Sequence, residues 1–231
     1  MTVGEIFAGI RDINKELCGL KVTGVTSDSR EVREGSLFVA IEGRSFDGHS
    51  AAADMLKKGA CVVVTRRRLG LEREITVDNP RELYSHLLAA FYGRPTDKIK
   101  LGAVTGTNGK TTVVNLCGQI TRLLGYQTAI IGTLGVDTGK GLVYSHEGPP
   151  TNPEPKRLYE LFAEMAEIGT HYCFMEASSQ ALAQYRFSAE RFAAAAFTNL
   201  TRDHLDYHGD MESYFLAKRA LFDMGGAAVI N

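Results

Sequence analysis

Thr105-Gly-Thr-Asn-Gly-Lys-Thr-Thr112 is the stretch on which the fold turns. Ahead of it residues 100–105 form an apolar run, and behind it residues 111–124 carry apolar side chains at helical spacing. The glycines therefore sit where a strand hands over to a helix. Backbone N–H groups and the helix dipole face outward there, which suits phosphate oxygens. Lys110 is placed to neutralise terminal phosphates and Thr111 to ligate magnesium. The strict long phosphate-loop pattern has a glycine five residues before Gly109, and this chain has Val104 at that position.

Outward from the loop the chain reads as alternating strands and helices. Downstream come a strand at 128–131, a long loop rich in Gly and Pro, and a helix with Leu158, Leu161, Phe162, Met165 and Ile168 on one face. Strands at 172–176 and 193–198 follow, then a helix over 211–222 and a turn entering a further strand at 225–231. Such alternation predicts an α/β fold with a mostly parallel sheet flanked by helices. Upstream, apolar runs at 37–41 and 61–65 alternate with a helix near 50–58, which makes a smaller α/β unit. Leu83, Leu87, Leu88 and Phe91 mark a helix that stops at Tyr92-Gly-Arg-Pro95. The expected domains are thus 1–95 and 96–231.

Composition excludes several classes. Of 231 residues 44% are hydrophobic and 23% charged, with net charge −1, so neither a disordered chain nor a nucleic-acid binder is expected. No apolar run is long enough to span a bilayer and no signal peptide opens the chain, which predicts a cytoplasmic protein without a membrane partner. Cys18, Cys61, Cys117 and Cys173 are far apart among apolar neighbours and read as buried free thiols.

Two more clusters carry chemistry. Glu176 ends an apolar strand, at the edge where ligands bind in open α/β sheets, and a carboxylate there can hold a metal. Asp203, His204, Asp206 and His208 crowd into residues 203–208, which reads either as a metal or catalytic segment or as a hydrated loop. By residue type alone, Lys218 in the helix that follows is a surface lysine.

With these motifs in view the chain resembles the Mur ligases. The string TGTNGKTT is similar to their nucleotide loop, shared with folylpolyglutamate synthases, and Phe197-Thr-Asn-Leu-Thr-Arg-Asp-His204 resembles a segment beyond it. Thr26-Ser-Asp-Ser-Arg30 and the run 35–49 resemble the N-terminal domain that holds the UDP end of the substrate, which folylpolyglutamate synthases lack. The resemblance is closest to the MurE type. It implies ATP binding by Gly106, Thr107, Asn108, Gly109, Lys110, Thr111 and Thr112, and magnesium held by Thr111, Glu176, His204 and a carbamylated Lys218. Lys110, His204 and Lys218 are the catalytic residues it implies.

For the substrate it implies contacts from Ser27, Ser29, Arg44, Ser45 and Phe46 to the uridine nucleotide. Thr151, Asn152, Ser178, Gln184 and Arg186 would meet the muramoyl dipeptide, Arg186 pairing with a carboxylate. The structural alternative is that Asp28 and Ser29 merely shape a turn. The implied activity is ATP-dependent addition of the third stem-peptide residue to UDP-N-acetylmuramoyl-L-alanyl-D-glutamate through an acyl phosphate, by a monomer. Asn152 and Gln180 depart from the MurE pattern of paired threonines and of histidine after the paired serines, which leaves the MurD and MurF types open, as well as a binding module without catalysis. The sequence is also expected to stop before a C-terminal amino-acid-binding domain and so to bind without efficient ligation. Asp78-Asn-Pro-Arg81 spells a signature that MurE ligases carry in that domain. Here it opens a helix, with proline favoured in the first turn, and is read as structural.

Overall fold

A computed structural model describes residues 1–43, 46–144 and 151–231, and they divide into two compact units, Met1–Gly93 and Arg94–Asn231. In the first, α1 (Val3–Phe7) and α2 (Lys15–Cys18) precede β1 (Gly24–Thr26), β2 (Ser36–Val39), α3 (Gly48–Lys57), β3 (Val62–Thr65), β4 (Glu74–Thr76) and α4 (Pro80–Phe91). The four strands pair in parallel in the order β1-β2-β3-β4. Every residue of β2 and β3 is buried, as expected for central parallel strands covered on both faces. Phe38 and Val63 from the sheet pack with Val32, Ala40, Ala52, Met55 and Ala60. Each fully buried valine or phenylalanine contributes roughly 1.5–3 kcal/mol. Asp47 caps α3 through the His49 amide, and Asn79 caps α4 with Pro80 in its first turn.

The second unit opens with a 3₁₀ turn, Pro95–Lys98, and builds one sheet around β5 (Lys100–Thr105). After α5 (Lys110–Leu123) come β6 (Thr128–Gly132), β7 (Gly135–Asp137), β8 (Leu142–Tyr144), α6 (Pro155–Glu167) and β9 (Tyr172–Glu176). The short helix α7 (Ser179–Ala183), β10 (Ala194–Phe197), α8 (Leu205–His208), α9 (Met211–Arg219) and β11 (Ala227–Ile230) complete it. The strand order is β11-β10-β5-β9-β6-β7-β8, parallel as far as β6 and antiparallel beyond. Val104, Val114 and Ile130 form the contact between sheet and α5, and Leu158, Leu161, Phe162 and Met165 of α6 are fully buried.

The expected α/β architecture is present, with four local corrections. The glycine-rich loop after β6 contains the antiparallel strands β7 and β8; at three residues each they are too short to show alternation. The helix expected to reach 222 is α-helical only to Arg219 and then tightens into a 3₁₀ turn, Ala220–Met224. Cys61 and Cys173 are buried free thiols, but Cys18 and Cys117 are half-exposed, each lying on a helix face that reaches solvent. Lys218 is 1% exposed rather than on the surface.

Candidate functional site

The loop between β5 and α5 is held open by its glycines. Gly106 and Gly109 adopt φ of 141° and 86°, a region that other residues enter at a cost. A Cβ on Gly106 would collide with the Thr198 hydroxyl. Gly109 is the N-cap of α5 and offers no side-chain cap, while the amides of Lys110, Thr111 and Thr112 have no acceptor within the helix. That leaves an anion-binding turn. The Thr107 and Asn108 amides are already bonded, to the backbone carbonyl and side-chain oxygen of Asn199 at 2.9 and 3.0 Å. Thr198 Oγ1 donates to Asn108 O at 2.6 Å, and the Thr201 amide donates to Thr107 Oγ1 at 2.9 Å. The chain leaving β10 thus braces one side of the loop.

Two lysines converge on one carbonyl. Lys110 Nζ donates to Gly106 O and Thr107 O, both at 2.9 Å, and Lys218 Nζ donates to the same Gly106 O at 2.8 Å. Tyr214 and Lys218 are four residues apart on α9 and share a face. The Tyr214 ring lies 4.4 Å from Lys218 Nζ, and its hydroxyl meets Thr107 Oγ1 at 3.2 Å. This packing folds Lys218 beneath the loop. Burial, followed by repulsion from Lys110, pulls the Lys218 ammonium down to about 7 against the opposing pull of Asp203. Near neutral pH its amine is therefore divided between charged and neutral forms. Burial also lowers the Lys110 ammonium, opposed by Glu176 and Asp203.

Glu176 emerges at the end of β9, 1% exposed. Its Oε1 accepts from Thr111 Oγ1 at 3.0 Å and from the Thr133 amide at 2.7 Å, and Oε2 accepts from Thr133 Oγ1 at 3.1 Å. A Cβ on Gly132 would strike this carboxylate, so the glycine provides its space. Among the described residues no three His, Cys, Asp or Glu side chains gather into a metal cage. One carboxylate beside a threonine hydroxyl at a phosphate loop nevertheless fits magnesium, which takes few protein oxygens and fills its shell with phosphates and water.

The segment after β10 brings both histidines to Tyr214. The His204 and His208 rings lie 6.2 and 5.2 Å from its ring. His204 is exposed, at φ 51°, with Nε2 3.6 Å from Asp203 Oδ2. His208 Nε2 meets Ser179 Oγ at 2.9 Å, and burial, with His204 and Lys218 nearby, lowers its basicity.

Of the expected dipeptide contacts, Thr151 Oγ1 lies 3.2 Å from Thr133 Oγ1, and Ser178 caps α7. Asn152 is buried, with both side-chain atoms bonded to the backbone at Glu176 and Ser178. The Arg186 guanidinium is engaged by Asn152 O at 2.6 Å, Gln184 Oε1 at 2.9 Å and the 70% exposed Glu154 at 2.8 Å. Gln184 Nε2 donates to Tyr207 at 3.1 Å. In the first unit Ser27 bonds the buried Tyr84 hydroxyl, Ser29 O accepts from Lys58 Nζ at 2.8 Å, and the Phe46 side chain is exposed. Arg44 and Ser45 lie outside the described residues. Asn79 and Pro80 open α4, and Arg81 donates to Glu42 O at 2.7 Å.

Asn199, Tyr214, Thr133 and Gly132 were not singled out from the sequence. Tyr214 alone had a signal, its four-residue spacing from Lys218.

Comparison with known proteins follows the same division. Residues 104–231 match the Mur ligase middle domain, and residues 21–92 match the family described as Mur ligase family, catalytic domain. A UDP-N-acetylmuramoyl-L-alanyl-D-glutamate--2,6-diaminopimelate ligase of Solibacter usitatus is 39% identical over 100% of this chain and 48% of its own length. One of the same name from Geobacter sulfurreducens is 43% identical over 87% of this chain and 40% of its own. The chain spans about half the length of the curated relatives it matches. A solved structure of a ligase of that name superposes with TM-score 0.81 at 28% identity, covering 100% of this chain and 47% of the other. MurF of Thermotoga maritima in complex with ADP shares the fold, with TM-score 0.53 at 19% identity over 91% of this chain and 45% of its own.

Proposed function

The chain belongs to the Mur ligase family, and from that premise we propose that it supplies the UDP-substrate and ATP-binding portions of a MurE-type ligase. The proposed reaction adds an amino acid to UDP-N-acetylmuramoyl-L-alanyl-D-glutamate in the cytoplasm, as a step of peptidoglycan synthesis. The amino acid named in the relatives is 2,6-diaminopimelate. No described helix is long and apolar enough to cross a membrane. The observation that carries the reading is the meeting of Lys110, Thr111 and Glu176 at one phosphate loop.

Lys110 and the first amides of α5 bind the phosphates of ATP, with Lys110 exchanging Gly106 O and Thr107 O for phosphate oxygens. Thr111 and Glu176 would hold magnesium, and, as the resemblance implies, His204 and Lys218 as its carbamate would serve a second ion. Bound magnesium supplies positive charge to the oxygens of the transferring phosphoryl group. Lys218 suits carbamylation because its neutral amine can attack CO2, forming an N–C bond and releasing a proton. The glutamyl carboxylate takes the γ-phosphoryl group as the bond to ADP breaks, and the incoming amine then displaces phosphate from the acyl carbon. Oriented donors carry this chemistry, and no protein nucleophile is needed. Arg186 can exchange the exposed Glu154 for a substrate carboxylate, with Thr151, Ser178 and Gln184 beside it. Ser27, Ser29 and the 44–46 turn take the uridine nucleotide.

Calorimetric titration with a non-hydrolysable ATP analogue tests the nucleotide half. Magnesium-dependent binding that falls at least tenfold in Lys110→Met is expected from loss of a charge-assisted contact of roughly 1.5–3 kcal/mol. Equal binding by wild type and variant would exclude the assignment.

A further inference from the structure

β6 accompanies β9 in parallel register only as far as Ile131 and Met175. One residue later it turns away, as Gly132 pairs with Gly135 across the β6–β7 hairpin. Thr133 has left the ladder and spends its amide and hydroxyl on the Glu176 carboxylate. The backbone beyond Glu176 is still held on its other side. There the Ala177 amide donates to Val104 O at 2.8 Å, and Ala177 O accepts from Thr105 Oγ1 at 2.8 Å. Backbone groups alternate in direction along an extended strand, so the carbonyl of Glu176 and the amide of Ser178 face the side that β6 has vacated. Buried and unmet, each would cost about 1–3 kcal/mol.

Asn152 meets both. Its Nδ2 donates to Glu176 O at 2.6 Å, and its Oδ1 accepts from the Ser178 amide at 3.1 Å. The residue is 1% exposed, and its own carbonyl accepts from Arg186 Nη1 at 2.6 Å. The carboxamide does what a residue of a neighbouring strand would do, at the step where the sheet delivers Glu176 to Thr111.

We propose that Asn152 is a positioning residue: its side chain replaces the missing strand, fixes the direction in which Glu176 presents its carboxylate to magnesium, and so couples the 151–154 loop to the nucleotide site. This rests on the nucleotide reading above and extends it to a residue that touches neither nucleotide nor metal. A carboxamide carries a donor and an acceptor on separate atoms, whereas a threonine hydroxyl is one atom on a shorter stem and cannot span both backbone groups.

The test compares wild type, Asn152→Asp and Asn152→Ala. Each is titrated with ATP in magnesium and again in EDTA, and hydrogen exchange is followed over residues 176–180. In wild type, magnesium should raise nucleotide affinity. Asn152→Asp, which loses only the donor, should lose about tenfold of that magnesium-dependent gain, equivalent to one lost hydrogen bond, and Asn152→Ala, which loses both bonds, at least as much, while affinity in EDTA stays within about twofold in each because Lys110 and the α5 amides are untouched. Exchange at Ser178 should remain slow in Asn152→Asp, which keeps the acceptor, and become fast in Asn152→Ala. A purely structural role would weaken both titrations alike, and that result, or a full magnesium gain in both variants, overturns the proposal. A wild-type chain that binds no nucleotide under either condition would instead overturn the nucleotide reading and this role with it, even if exchange shows the clamp formed.

Discussion

Glu190 should make this protein less stable as pH rises, and replacing it by glutamine should reverse the effect. The residue lies between α7 and β10 and is 3% exposed. Its carboxyl approaches the hydroxyls of Thr96 and Tyr159, with Asp97 and Arg94 close by, yet neither oxygen makes a hydrogen bond of full geometry. Burial raises the carboxyl above its ordinary range, and it in turn adds to the burial that pushes the Cys173 thiol up to about 12. Because the folded protein holds the proton more tightly than the unfolded chain, the cost is absent below the unfolded carboxyl's range. It grows as pH climbs toward the raised folded value and is complete above it. A buried acceptor left unmet costs about 1–3 kcal/mol, and more when charged. Glu190→Gln should therefore stabilise by at least about 1 kcal/mol at pH 8, with a melting shift of about 2–4 °C per kcal/mol, and by much less at pH 4.5. Urea unfolding followed by far-UV circular dichroism at both pH values measures the difference between the two proteins, in which the remaining titrating groups cancel. A gap that does not widen with pH, or a variant less stable at pH 8, would mean that the buried Glu190 carboxylate does not cost stability.

Gly132→Ala places a methyl group where the Glu176 carboxylate lies; we expect a stability loss of about 1–3 kcal/mol from overpacking, read by urea unfolding, and loss of magnesium-dependent nucleotide binding with it. With the Lys218 amine titrating near 7, the carbamate signal formed from labelled bicarbonate in carbon-13 spectra should grow between pH 6 and 8 and be absent in Lys218→Arg. Thr107→Val removes the hydroxyl that accepts the Thr201 amide and meets Tyr214; a cost of about 1–2 kcal/mol is expected in the same unfolding assay.

The parts of the site that follow from local periodicity could be read directly from residues. β5, the loop and α5 lie where apolar runs and glycines place them, and Glu176 ends its strand as expected. The burial of Lys218 could not be read in this way, because a lysine's prior is exposure and only the tertiary approach of Tyr214 and Gly106 overrides it. The resemblance implies a substrate contact for Asn152, whereas its hydrogen bonds tie it to a strand end. That role depends on where β6 leaves the sheet, a feature set by a three-residue hairpin partner too short to see in sequence. Asn199 is similar: its bonds to the loop amides span about ninety residues of chain and have no local signature.

Recognition of a UDP-muramoyl dipeptide is the substrate half of the proposed function. Calorimetric titration with UDP-N-acetylmuramoyl-L-alanyl-D-glutamate, with UDP-N-acetylmuramoyl-L-alanine as competitor, tests it most directly. Tighter binding of the dipeptide form is expected, whereas preference for the shorter compound, or binding of neither, would rule the proposed substrate out.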